Sequence, residues 1–199
     1  MTALARTVER LAYELRGVLV APPVLAAPFC SWGGSLPALV AWPLGVALFL
    51  AGWLARMWAQ RHMAYRRRVR MVLATCGPYA YVRNPLYLAN ILMGLGAVVA
   101  SEAVWMVPVT VLWYAAVYSL VVRHEEQRLS RHYGEPYRSY RAAVPRWLPR
   151  QRQPPACGHG GVGRVVRNEL HTPLIMAPAA LKALDVLPAA GHLIRGLIA

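Results

Sequence analysis

Arg83-Asn84-Pro85-Leu86-Tyr87 opens an apolar run that extends to Ala100, breaks at Ser101-Glu102-Ala103, resumes from Val104 to Val122 and closes on Arg123-His124-Glu125-Glu126. Two apolar runs of helical length joined by a short polar turn read as a helical hairpin. Its basic, aromatic end and its acidic end sit at one mouth, on the same side of a bilayer, where they can close over one polar ligand. Gly77-Pro78-Tyr79-Ala80-Tyr81-Val82 leads into the first run, and Tyr133-Gly134, Tyr137, Tyr140 and Val144-Pro145 follow the second.

The rest of the chain fits a membrane protein. It has 199 residues, 57% hydrophobic and only 15% charged, unlike an ordinary soluble domain. No charge occurs from Gly17 to Ala55; as one helix that stretch would run roughly 58 Å, about twice the hydrocarbon thickness. It must fold back, and Ser31-Trp32-Gly33-Gly34-Ser35-Leu36-Pro37 is the natural turn. The expected fold is all-α and polytopic, with four spans: Leu11 to Cys30, kinked at its prolines, Leu36 to Met57, Pro85 to Ala100 and Val104 to Val122. A signal peptide fits the first 30 residues poorly, because Pro22-Pro23 and Pro28 interrupt its apolar core and Glu9 and Glu14 dilute its basic flank. Residues 1–150 read as the membrane domain and 151–167 as a flexible linker. Residues 168–199 read as an amphipathic tail, broken by Pro173, Pro178 and Pro188, that suits the membrane surface.

Charge sets the expected orientation. The net charge is +14, and arginines follow the second span (Arg61, Arg66, Arg67, Arg68, Arg70) and the fourth (Arg123, Arg128, Arg131, Arg138, Arg141, Arg146, Arg150, Arg152). The positive-inside rule puts both termini and both motifs in the cytoplasm, in a bacterial inner membrane. Arginines beside uncharged spans are first a topology signal, so nucleic acid is not the expected partner; anionic lipid headgroups are. Cys30, Cys76 and Cys157 have no metal-like spacing and imply no disulfide framework, and the six histidines form no ligand pattern, so no metal is expected. Gly158-His159-Gly160-Gly161-Val162-Gly163 spells a dinucleotide fingerprint, but Gln151-Arg152-Gln153-Pro154-Pro155 precedes it where a strand should stand.

At the hairpin mouth, Asn84 suits an N-cap and Pro85 a first helical residue. The helix would then present free N–H groups beside Arg83, a combination that favours a carboxylate or phosphate. Tyr79, Tyr81 and Tyr87 offer ring faces and hydroxyls. An interfacial belt of Arg and Tyr is the plain alternative. Adjacent helical residues point about 100° apart, so at most one of Glu125 and Glu126 is expected to face inward; Glu125 is assigned there, to receive an ammonium or a ribose diol. The plain alternative is a solvated helix end with Glu126–Arg123 and Glu125–Arg128 pairs. Together the sites select a ligand with a carboxylate, an aromatic ring and cationic or hydroxyl groups. S-adenosylmethionine carries all of these; ATP meets the anion and ring requirements, but no P-loop is present.

On Gly77, Tyr79, Arg83-Asn84-Pro85-Leu86-Tyr87, Glu125-Glu126, Tyr133-Gly134, Tyr137, Tyr140 and Val144-Pro145, the stretch from Met71 to Pro149 resembles the membrane methyltransferases related to isoprenylcysteine carboxyl methyltransferase and the phospholipid N-methyltransferases. The resemblance implies an S-adenosylmethionine shell of Met71, Val72, Leu73, Ala74, Tyr79, Arg83, Asn84, Pro85, Leu86, Tyr87 and Glu125. It implies methyl transfer to a lipid-like or membrane-partitioning carboxylate, amine or thiol arriving from the bilayer. Arg83, Tyr87 and Glu126 are the catalytic candidates, the last two as weak proton acceptors. Three positions depart from the prenylcysteine enzymes: Asn84 and Met71 stand where those have His, and Val121 where they have Arg. A prenylcysteine carboxylate is therefore not the expected acceptor. Readings from other classes are a non-enzymatic assembly or transport subunit and an NADPH-dependent membrane reductase. The sequence leaves the oligomeric state open.

Overall fold

The structure, a computed structural model, describes residues 3–30, 36–68, 73–150 and 161–184. Among them every regular element is helical: α1 (Ala3–Glu14), α2 (Arg16–Leu19), α3 (Ala21–Ala26) with a 3₁₀ turn at Ala27–Phe29, α4 (Ala38–Arg68), α5 (Pro78–Tyr81), α6 (Pro85–Ala100), α7 (Met106–Tyr133), α8 (Glu135–Ala143), α9 (Val162–Glu169), a 3₁₀ turn at Thr172–Met176, and α10 (Ala177–Ala183).

Two of these helices, through Ala38–Met63 and Met106–Tyr133, are long and apolar enough to cross a membrane. They overrun the expected spans, because α4 continues past Met57 to Arg68 and α7 past Val122 to Tyr133. α6 keeps the expected bounds and is short, 16 residues or roughly 24 Å.

The expected first span is not one helix. Pro22 and Pro23 bring no N–H, so carbonyls one turn upstream lose their helical donors, and the chain proceeds in short pieces. α7 supplies one replacement, Trp113 Nε1 donating to Leu19 O (2.7 Å), and Tyr114 OH adds a bond to Val20 O (3.0 Å). Trp105, at the N-cap of α7, donates to Cys30 O (2.7 Å). Carbonyls that face an apolar setting need such partners. Ala12, Tyr114, Val117, Tyr118 and Val121 form the buried cluster that ties α1 to α7.

α4 and α6 pack antiparallel through small residues. A Cβ added at Gly45 would lie 2.6 Å from Gly96 O, and one at Gly52 2.7 Å from Ala89 O. Such contacts let backbones approach where no water-driven force joins helices. They set the C-terminal half of α4 beside the first turns of α6, so that Arg56 Nη1 reaches Asn90 Oδ1 at 2.7 Å.

The tail differs from expectation. The helix begins at Val162, inside the stretch read as linker, and the segment docks on the bundle. Glu169 is buried and accepts from Arg56 Nε (2.7 Å), Gln60 Nε2 (3.2 Å) and Thr172 Oγ1 (2.5 Å). Lys182 Nζ meets Ser101 O (2.7 Å) and Glu102 (3.2 Å) at the α6–α7 turn. Partners for these two charges stand at opposite ends of α6, so the segment runs along the bundle. Residues 151–160, with the first half of the glycine-rich fingerprint, and 185–199 lie outside the described residues. Cys30 is free, whereas Cys76 is disulfide-bonded, which corrects the cysteine reading there.

Candidate functional site

The site is assembled by two turns and a clamp. Gly77 has φ +58°, a conformation that penalises any side chain, and a Cβ there would collide with the His62 ring. This turn drops α5 into the core, with Pro78, Tyr79 and Ala80 buried. Val82 is extended, and on either side of it the chain pairs with the segment after α8: Arg83 N donates to Pro145 O (2.9 Å) and Arg150 N to Tyr81 O (3.1 Å). At the other side of the mouth, Gly134 has φ +60° and reverses α7 into α8. α8 then folds over α5, with Tyr140 OH donating to Tyr79 O at 2.8 Å.

Asn84 occupies the N-cap position of α6, but its side chain makes no cap bond. Its Nδ2 donates instead to Arg146 O at 3.1 Å, tying the helix start to the returning segment.

The clamp is Glu126, only 5% exposed. Arg83 Nη1 lies 3.2 Å from its Oε1; Arg146 donates from Nε to Oε1 (3.1 Å) and from Nη2 to Oε2 (2.5 Å). A carboxylate engaged by two guanidiniums is a positioning group rather than a proton acceptor. The surface pairs Glu126–Arg123 and Glu125–Arg128 are not made among the described residues. A buried Arg83 facing α7 outcompetes solvated neighbours one helical turn away. Glu125 accepts from Tyr87 OH on Oε2 (2.8 Å), which leaves Oε1 without a partner among the described residues. Arg83 Nε and Nη1 are buried and make no hydrogen bond there.

These groups wall one cavity of about 580 Å³. Of the sequence-predicted residues, Leu73, Ala74, Tyr79, Arg83, Asn84, Pro85, Leu86, Tyr87, Glu125 and Glu126 all line it. Both glutamates face it, not one as expected, because Glu126 reaches across to Arg83 while Glu125 meets Tyr87. Met71 and Val72 lie outside the described residues. Tyr81 is not among the lining residues; its ring stands 6.2 Å from that of Trp58.

Several lining residues escaped the sequence reading: Tyr13, Arg16, Arg56, Asn90, Tyr118, Tyr137 and Tyr140. Arg56 and Asn90 carried a usable signal, as polar groups inside otherwise apolar helices. Tyr137 and Tyr140 stood in the quoted motif, and α8 turns them onto the cavity. Burial, and then the negative charge of Glu126, push the Tyr137 hydroxyl up to about 12. Burial likewise raises Tyr140, so both phenols remain hydrogen-bond donors at neutral pH. Among the described residues, no group of three or more His, Cys, Asp or Glu stands together to hold a metal ion.

Fold and cavity define a class: a helical, membrane-associated protein with a polar cavity at the mouth of a hairpin. Residues 40–136, from α4 to the start of α8, match the phospholipid methyltransferase family. The chain is 33% identical over 109 residues to the nickel-cobalt-cadmium resistance protein NccN of Alcaligenes xylosoxydans xylosoxydans, covering 54% of this chain and 47% of that protein. It is 36% identical over 109 residues to the cobalt-zinc-cadmium resistance protein CzcN of Cupriavidus metallidurans, with the same coverage. The chain thus spans about half the length of the curated relatives it matches. No solved structure matches it.

Proposed function

We propose that the cavity binds S-adenosylmethionine on the cytoplasmic side of the membrane and that the chain transfers its methyl group to a lipid-like or membrane-partitioning acceptor. One observation carries this reading. Arg83, whose buried Nε makes no hydrogen bond and whose Nη1 is ion-paired to Glu126, and Glu125, with an open carboxylate oxygen, line the same 580 Å³ cavity. That volume lies within the range of small-molecule sites. Arg83 and the first turn of α6 suit the cofactor's carboxylate. Glu125 suits its ribose diol or ammonium, and Tyr79, Tyr137 and Tyr140 offer ring faces and hydroxyls. The family of residues 40–136 supports the same chemistry, and the positive-inside rule supports the cytoplasmic side.

When bound, S-adenosylmethionine supplies a methyl group already activated on a sulfonium sulfur. The chain's task is to orient donor and acceptor and to exclude water, and orientation alone supplies roughly 7–11 kcal/mol. Glu126 holds Arg83 in place from one side, and Arg146 on the same carboxylate leaves the cluster net positive toward an anionic ligand. α8 covers the cavity with Tyr137 and Tyr140. The relatives' names refer to metal resistance. Isothermal calorimetry on the detergent-purified chain tests the proposal. Micromolar binding of S-adenosylmethionine, competed by S-adenosylhomocysteine and not by NADPH, is expected. No binding, or preferential binding of NADPH, overturns it.

A further inference from the structure

A second cavity, of about 540 Å³, adjoins the first. Gly17, Val20, Arg56, Asn90 and Tyr118 line both. Beyond this shared wall the lining is mostly apolar, with Val24, Leu25 and Met93 and, as polar members, His171 and Thr172. Leu174, Ile175 and Pro178 of the C-terminal segment, outside residues 40–136, also line it. That segment is pinned at both ends, by Glu169 to Arg56 and Gln60 and by Lys182 to Ser101 and Glu102. Between the pins it walls the cavity without filling it. An apolar chamber opening at one polar end onto a reagent site is the shape needed to store an acceptor's tail and present its head.

We infer that this second cavity holds the acceptor, a single-chain amphiphile whose reactive group lies at the Arg56–Asn90–Tyr118 wall, and that the C-terminal segment selects it. The inference rests on the methyltransferase reading. Arg56 is neutralised by Glu169, so the shared wall offers hydrogen bonds without net charge and suits a small head rather than a phosphodiester. A single alkyl chain fits this apolar lining, whereas Arg56, already paired with Glu169, is not free to take a phosphodiester.

The test uses the full chain in detergent with sixteen-carbon alkyl thiol, amine and carboxylate probes, each bearing a mid-chain diazirine. At least one probe is expected to label peptides containing Met93 and Ile175 saturably and to accept labelled methyl. Dioleoyl phosphatidylethanolamine in mixed micelles should not compete. Ile175→Trp should cut labelling and methyl transfer at least tenfold while S-adenosylmethionine affinity stays within twofold. If that variant fails to fold, Leu174→Trp at the cavity rim replaces it, with the same expectation. Labelling elsewhere, competition by the two-chain lipid, or unchanged labelling in the tryptophan variant overturns the inference. A wild-type chain that binds no S-adenosylmethionine defeats the methyltransferase reading instead, and calorimetry reports that separately.

Discussion

Replacing Glu126 with Gln should destabilise the protein far more than the same change one residue earlier. Glu126 is enclosed by Arg83, whose side chain is 10% exposed, and Arg146, 35% exposed. Removing one member of a buried ion pair costs about 3–5 kcal/mol, because the remaining charge stays desolvated. Two features reduce that figure here: the amide oxygen of Gln still accepts one bond, and Arg146 reaches solvent. An expected loss of about 2–3 kcal/mol corresponds to a melting shift of about 8 °C for a chain of this length. Glu125 is half-buried, and Gln in its place can keep an acceptor for Tyr87 OH. Glu125→Gln should therefore melt within about 3 °C of the parent. It should bind S-adenosylmethionine about tenfold more weakly, or 1.4 kcal/mol, through loss of a charge-assisted contact. Thermal unfolding followed by size-exclusion chromatography, beside calorimetry with the cofactor, separates the two effects. Equal melting shifts in the two variants, or a Glu126→Gln protein as stable as the parent, would refute the clamp.

Two further outcomes follow from the turn before α5 and from the buried phenols. Gly77→Ala should lower stability by about 1–2 kcal/mol through its positive φ alone, and should weaken cofactor binding as well, because yielding to His62 moves Tyr79; a variant with parental melting and affinity would show that the turn is relaxed. Tyr137 keeps its proton in the folded chain up to about 12, whereas the unfolded chain releases it near 10. The folded form then holds more protons between these values, so stability present below pH 10 should be lost as pH rises toward 12. Melting curves at pH 8, 10 and 11 measure this, and Tyr137→Phe should flatten the slope.

The hairpin and its mouth were legible because their signals are local. Asn84-Pro85 starts a helix by its own backbone chemistry, and charge-free runs of helical length declare themselves. What eluded the sequence depends on distant partners. The i±3 spacing offered Arg123 and Arg128 to the glutamates, yet Arg83 and Arg146 stand 43 and 20 positions away from Glu126 and hold it. Desolvation decides the matter, since a buried guanidinium needs a counter-charge and an exposed one does not. The tail misled for the same reason. Its prolines break it into short pieces that look like surface helices, and only the bundle supplies Arg56 for Glu169 and Ser101 for Lys182. The N-terminal segment read as one kinked span because Trp113, which serves a carbonyl that Pro23 leaves without its helical donor, and Tyr114, which bonds the next one, lie more than 90 positions away.

The distribution of site residues along the chain bears on how acceptor choice arises. Residues 40–136, the family stretch, hold Tyr79, Arg83, Tyr87, Glu125 and Glu126, the groups proposed to grip the methyl donor. Arg56, Asn90 and Tyr118 of the same stretch line both cavities, and further enclosing parts come from outside it: Tyr13 and Arg16 before, Tyr137, Tyr140 and Arg146 after, and the docked segment from Val162 to Ala183. Donor binding imposes fixed geometry, since the sulfonium must meet the acceptor in line, whereas enclosure can be rebuilt from any packed segment that excludes water. On this logic, exchanging the C-terminal segment should change which acceptor is methylated and leave donor affinity unaltered. Exchanging residues within the hairpin mouth should do the reverse.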